Sequence, residues 1–208
     1  MEMVIALVVV VAATWYFLQK ARTSAEPQLT NLSALPPRFV VYDLETTGLN
    51  PERHEIIEIG AIRVNRDSQN HETFQTLVMP IGRISSRITQ ITGIDRKMVQ
   101  AEGRPLAEAL SQFRDFVEDL PLVAFNASFD DAFIAAACLR TETDAFANET
   151  CCALKMARRA WPGKRSYKLS ELAKEGNLPL IDEHRALGDC QRTMIVYAAA
   201  ASHLGTYR

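Results

Sequence analysis

Between Arg38 and Met79 three runs rich in β-branched and aromatic residues follow one another: RFVVYDLE (38–45), EIIEIGAIRVN (55–65) and HETFQTLVM (71–79). The stretch after the first, TTGLNPERH, is rich in turn formers, so the three runs predict an antiparallel meander. The pattern then changes. From Pro105 to Leu120, apolar Leu106, Ala109, Leu110, Phe113, Phe116 and Val117 recur at helical spacing, which predicts an amphipathic helix ended by Pro121. PLVAFN (121–126) reads as a short buried strand. SFDDAFIAAACLR (128–140) reads as a helix with Ser128 as cap candidate and two aspartates in its first turn. A weak strand follows at Glu149 to Cys151, then short helices at 152–160 and 168–175 and a last helix at 184–204. Three strands followed by alternating helix and strand describe an α/β domain, a mixed five-stranded sheet flanked by helices.

Ahead of this domain the chain has a different character. Met3 to Leu18, MVIALVVVVAATWYFL, carries no charged side chain, and Lys20 and Arg22 follow at once. As a helix it covers roughly 24 Å, short of a hydrocarbon core of about 30 Å, a gap that interfacial Trp15 and Tyr16 and a snorkelling Lys20 can close. The reading is a membrane-anchor helix over residues 1–20, with the basic flank placing the rest of the chain in the cytoplasm. A cleaved signal peptide and export is the alternative, since Thr23 and Ala25 are small, although no basic residue precedes the apolar run. Residues 21–37, with Ser, Thr, Asn, Pro and scattered Leu but no period, read as a linker, and the domain is expected over 38–208.

A chain with 48% hydrophobic and 23% charged residues and a net charge of -2 is neither disordered nor a strongly cationic DNA-coating protein. Its four cysteines, Cys138, Cys151, Cys152 and Cys190, match no C-x-x-C zinc or redox spacing, so reduced and mostly buried thiols are expected.

Chemistry is signalled by YDLETTG. Asp43 and Glu45 lie two apart on a strand and so project from one face, with Phe39 and Val41, at the strand's C-terminal end. Side by side they repel unless a cation sits between them, and an all-oxygen pair suits Mg²⁺ or Mn²⁺ better than zinc. Two solvated charges at a strand end fit the same pattern. Asp130 can favour the dipole of its helix, as can Asp131 beside it, and His184 before Asp189 can be a surface or capping residue. The combination carries more than any member.

Together these residues resemble the DEDD exonuclease superfamily in its DEDDh branch, which includes the epsilon proofreading subunit of bacterial DNA polymerase III, RNase T and oligoribonuclease. Asp43, Glu45, Thr46, Thr47 and Gly48 in DLETTG match the first motif, Asn126 and Asp130 in FNASFD the second, His184 and Asp189 in HRALGD the third. HEIIEIGAIRV, ITGI (91–94) and KLSELA (168–173) are also similar to the family, so the resemblance spans about residues 38–203. It selects Asp130 over Asp131 and implies a ribonuclease H-like exonuclease fold. Phe125 departs from the pattern: many relatives have a histidine there.

The resemblance implies a 3′–5′ exonuclease with Asp43, Glu45, Asp130 and Asp189 as ligands of two divalent ions, Mg²⁺ or Mn²⁺. His184, with an ordinary pKa of about 6.5, is suited to take a proton from the attacking water. Thr46 and Thr47 are expected to hold the terminal nucleotide, with Asn126 as a further substrate-binding residue; Phe125 joins them if it stacks on a base or sugar, and is otherwise core at a strand end. Single-stranded DNA 3′ ends are the expected substrate and RNA 3′ ends the alternative. A non-catalytic nucleic-acid-binding module and a proofreading accessory subunit are the other readings. A homodimer, and a DNA polymerase or repair protein as partner, are compatible with the family. KMARRAWPGKRSYK (155–168) adds Lys155, Arg158, Arg159, Lys164, Arg165 and Lys168 without an acid, interleaved with Trp161 and Tyr167. It reads equally as a nucleic-acid track and as a solvated loop with Trp161 on the core.

Overall fold

The computed structural model describes residues 32–68, 70–176, 178 and 185–208. A 3-10 turn, Leu32–Ala34, leads into β1 (Arg38–Thr46), β2 (Ile56–Asn65) and β3 (Glu72–Leu77). Helices α1 (Ser86–Thr92), α2 (Arg96–Glu102) and α3 (Leu106–Val117) follow, then β4 (Leu122–Ala124), α4 (Ala127–Thr141) and β5 (Thr150–Cys152). The chain closes with α5 (Ala153–Ala160), α6 (Leu169–Glu175) and α7 (Ala186–Leu204).

The sheet order is β3-β2-β1-β4-β5. β1, β2 and β3 pair antiparallel as the expected meander, while β4 lies parallel to β1 and β5 parallel to β4, giving the expected mixed five-stranded sheet. β1 is central and covered on both faces, which is why its sequence is nearly continuously apolar. Its alternation sorts the core. Phe39 and Val41, with Ile62 and Val64 of β2, pack against α5 and α7. Val40, Tyr42 and Leu44, with Ile59 and Ala61, pack against α3 and α4. The side chain of Tyr197 on α7 meets Phe39 edge-on, with ring centroids 5.5 Å apart.

Several boundaries differ from expectation. α3 stops at Val117 because Glu118 turns to φ 51°, three residues ahead of the proline expected to end the helix. α4 has Asn126, not Ser128, at its N-cap, and the Ser128 hydroxyl lies 3.3 Å from Asn126 Oδ1. α1 and α2 were not expected. Both are short and defined by their ends: Ser85 accepts from the Ile88 amide and Asp95 from the Met98 amide, and Gly93 closes α1 at φ 72°. The start of the domain also moves. Residues 32–37 were expected in the linker, yet Ala34 and Leu35 are buried in the α7 face of the core, and Arg66 donates to the carbonyls of Pro37 and Leu35. The expected anchor helix, residues 1–20, lies outside the described residues, as do 21–31 of the linker. Among the described residues no helix is long and apolar enough to cross a membrane. All four cysteines are free; Cys138 and Cys190 are buried and the other two half-buried.

Candidate active site

Because β1 and β4 run parallel, their carboxyl ends open on the same edge of the sheet, where an α/β sheet commonly binds its ligand. Asp43 and Glu45 end β1 on the face that carries α7. Across the β1–β2 ladder Asp43 stands opposite Gly60 and Glu45 opposite Glu58. Gly60 is required here: a Cβ on it would lie 2.7 Å from the Ala186 Cβ and from the Leu187 amide nitrogen. Its bare backbone lets the first turn of α7 sit against β2, which delivers Asp189. Carboxylate oxygens of Asp43, Glu45 and Asp189 lie within 4.8 Å of one another. Asp130, buried in the first turn of α4, enters from the chain segment after β4.

The electrostatics of this cluster are those of acids crowded in a place poor in water. Burial raises the Asp43 carboxyl well above the usual range, and repulsion from Asp130, Asp189 and Glu45 adds to it. Glu45 is pushed up to about 8, first by burial and then by Asp189 and Glu58, with Arg185 opposing. Asp130 is also pushed up to about 8 by burial, against backbone hydrogen bonds at Asp130 and Leu44 that favour its ionised form. Three acids that hold their protons so firmly, Asp43, Glu45 and Asp130, are incompletely compensated by the described cations. An all-oxygen donor set of this charge fits Mg²⁺ or Mn²⁺.

Two ion pairs frame the cluster. Glu58, fully buried, accepts from Arg185 Nε at 3.2 Å on each oxygen, from Arg185 Nη2 at 2.6 Å, from the Ala186 amide at 2.9 Å and from Gln75 at 3.0 Å. This knot ties the start of α7 to β2. Within α7, Arg192, 3% exposed, donates to Asp189 Oδ1 from Nε at 3.0 Å and from Nη2 at 2.8 Å. Both of these bonds fall on one oxygen, Oδ1.

The expected residues divide as follows. Asp43, Asp130, Asp189, Phe125 and Asn126 line one groove of about 960 Å³, near the top of the range for ligand pockets. Phe125 is also partly packed on the core, and its carbonyl accepts from the Leu154 amide. Thr46 and Thr47 do not line this groove. Thr46 Oγ1 donates to the Gly48 carbonyl, Thr47 Oγ1 accepts from the Glu55 amide and the Thr47 amide donates to the Glu55 carbonyl, so these groups close the β1–β2 turn. Leu44 and the exposed Leu49 flank them and do line the groove, together with Phe129. His184 lies outside the described residues. Tyr42 explains the choice between the two aspartates of α4: its hydroxyl donates to Asp131 Oδ1 at 2.6 Å, so Asp131 serves the sheet while Asp130 serves the cluster.

Sequence reasoning missed Leu49, Phe129, Glu58 and Arg192. A lone acid inside the apolar run IIEIGAI is a signal of a buried charge, and an exposed leucine in a turn-forming stretch is a weaker signal of a contact surface.

Comparison with known proteins agrees with this geometry. The exonuclease family model (RNase_T) matches residues 40–197. The chain is 36% identical over 160 residues to the DNA polymerase III subunit epsilon of Aquifex aeolicus, covering 76% of this chain and 78% of that one. It is also 36% identical over 165 residues to the PolC-type DNA polymerase III of Caldanaerobacter subterraneus subsp. tengcongensis, 79% of this chain but only 12% of that long polymerase. Among solved structures, Escherichia coli exonuclease I in complex with a dA16 oligonucleotide superposes with a TM-score of 0.68 at 21% identity, covering 78% of this chain and 40% of that one, a likeness of fold. With the family model spanning most of the domain and the epsilon relative matched over three quarters of both chains, the chain belongs to the exonuclease family, as a DEDD-type 3′–5′ exonuclease.

Proposed function

We propose that this protein removes nucleotides one at a time from the 3′ end of single-stranded DNA, releasing nucleoside monophosphates in a reaction that depends on divalent cations. The carrying observation is the convergence of Asp43, Glu45 and Asp189 within 4.8 Å beside a groove that Asp43, Asp130 and Asp189 line. These four carboxylates would hold two ions, Mg²⁺ or Mn²⁺. Bound there, the ions supply the positive charge that a phosphodiester transition state needs and make water a nucleophile near neutral pH. The protein's own part is placement. β1 holds Asp43 and Glu45 on one face, Gly60 admits α7, and the Glu58–Arg185 knot fixes the chain immediately after His184. His184 is the proposed general base, next in sequence to that fixed point. Phe125, Phe129 and Leu49 offer apolar surface against which an unpaired base can stack.

The choice of single-stranded DNA draws support from the dA16 complex of exonuclease I and from the polymerase context of the epsilon and PolC-type relatives. The same context makes a DNA polymerase or repair protein the proposed partner class. Residues 3–18 are proposed to tether the enzyme to a membrane with the catalytic domain on the cytoplasmic side. Carbonate-resistant membrane retention of the full chain, lost on deletion of residues 3–18, tests that point.

The decisive experiment uses full-length protein with 5′-labelled single-stranded DNA and RNA, with Mg²⁺, Mn²⁺ or a chelator. A ladder shortening from the 3′ end with either metal, absent with chelator and absent in Asp43→Ala, is expected. Faster shortening of RNA would replace DNA as substrate, and full turnover by Asp43→Ala would overturn the assignment.

A further inference from the structure

The basic stretch on α5 and the loop to α6 is divided by the fold into a bracing half and an unpaired half. Trp161 packs on the core. The Tyr167 hydroxyl donates to the Trp161 carbonyl at 2.6 Å and accepts from the Lys164 amide at 3.2 Å. Lys164 is paired with Glu175, and Lys174 with Glu171, so both acids of α6 are taken. These contacts hold the loop 161–168 in one shape. Arg158, Arg165 and Lys168 remain exposed and have no acid partner among the described residues. All three line the same groove as Asp43, Asp130 and Asp189, with the Arg158 guanidinium 5.8 Å from the Tyr167 ring centroid.

We propose that Arg158, Arg165 and Lys168 form a phosphate-binding track for the single strand on the 5′ side of the bond being cut. The inference rests on the 3′–5′ exonuclease reading in one respect. In such a reaction only one nucleotide lies 3′ of the scissile phosphate, so every further phosphate in the groove belongs to the 5′ side. Three cations, Arg158 on α5 and Arg165 and Lys168 on the braced loop after it, contact these phosphates without reading sequence, and binding releases condensed counterions. Substrate length is therefore sensed here. A strand long enough to reach the track binds tightly, while a dinucleotide does not reach it.

The test measures binding of fluorescent oligo-dT of increasing length to full-length protein in chelator, as a function of salt, beside metal-dependent cleavage of the same oligomers. In the triple variant R158Q/R165Q/K168Q the slope of log affinity against log salt is expected to fall by about 2, at about 0.7 per phosphate contact on a single strand. The KM penalty should grow with oligomer length while kcat on long strands holds. The charge-preserving R158K/R165K/K168R should keep the wild-type slope. Lys155→Gln, on the same helix but away from the groove lining, should keep it too. An unchanged slope in the glutamine variant, or a KM penalty equal at every length, overturns the track. A reduced slope in a protein that cleaves nothing sustains the track and overturns the exonuclease reading instead.

Discussion

Glu45 and Glu58 face one another across the β1–β2 ladder on the same side of the sheet, and both are buried, at 9% and 0% exposure. Glu58 is saturated with donors: a guanidinium fork, a backbone amide and a glutamine amide. Glu45 has Asp43 and Asp189 for its near neighbours. A buried carboxylate that finds all its partners inside the protein is a fixture, here one that secures α7. A buried carboxylate surrounded by other carboxylates is completed only from outside. The fold sets the two kinds opposite each other on a single rung of the ladder, so the fixture aims the incomplete site.

The largest consequence concerns pH in the absence of metal. Glu45 has an ordinary value of 4.5 and about 8 in the fold, and Asp130 moves from 3.8 to about 8. The folded state therefore keeps protons that the unfolded state has released, so metal-free stability falls as pH rises from about 4 to about 8 and levels off above. The slope is at most about 1.4 kcal/mol per pH unit for each such group. Divalent cation takes the place of those protons, so its stabilising effect should grow over the same window. Melting midpoints with chelator and with Mn²⁺, taken between about pH 5 and pH 8.5, check this. A chelated protein that gains stability toward pH 8 would break the distinction between the two glutamates.

Next in size is the exchange of each glutamate for its amide. Glu58→Gln leaves Arg185 without its counter-charge and is expected to cost about 3 kcal/mol, roughly 6–12 °C in Tm. Glu45→Gln removes a repelled buried charge, so in chelator near pH 8 its Tm should rise, while turnover falls at least about 100-fold, beyond the loss typical of a group behind a metal ligand. Opposite signs in Tm are the expected outcome. A fall in both would mean that Glu45 is also a structural fixture.

Gly60→Ala tests the geometry that joins the two. The new methyl would press on backbone atoms of Ala186 and Leu187, which cannot yield without moving α7. A loss of about 1–3 kcal/mol is expected, with weaker metal binding because Asp189 moves with the helix. Scanning calorimetry and Mn²⁺ titration of the same variant separate the two effects. Unchanged metal affinity would show that Asp189 is positioned independently of this contact.

Much of this arrangement can be read before any coordinates, and the exceptions share a cause. Asp43 and Glu45 are legible because a strand's period of two puts them on one face. The meander and the long helices are legible because their apolar residues recur regularly. Glu58 announces a buried charge but not its partner, since Arg185 lies 127 residues away and only the packing of α7 on β2 brings them together. Leu49 sits in a turn, where no period applies, and Thr46 and Thr47 are taken by the turn they close. α1 and α2 are too short for periodicity and are signalled only by Ser85, Gly93 and Asp95 at their ends. Leu35 is buried by α7, so the edge of the domain is set by a helix more than 150 residues later.

The smallest effect is expected at Arg192, which makes Asp189 intermediate between the two glutamates: it stands in the acidic cluster, yet its Oδ1 accepts two bonds from a guanidinium inside the protein. Arg192→Lys keeps the charge but loses the planar fork that fixes Oδ1. A lysine ammonium can approach Asp189 but leaves the carboxylate free to rotate, so the group is less well aimed at the cluster. The expected result is a loss of about tenfold in Mn²⁺ affinity, the low end of the range for groups behind a ligand, or about 1.4 kcal/mol. Saturating metal should then restore most of the turnover, since the ligands themselves are intact. A turnover defect that persists at saturating metal would place Arg192 in contact with the substrate, and an unchanged affinity would show that charge alone holds Asp189.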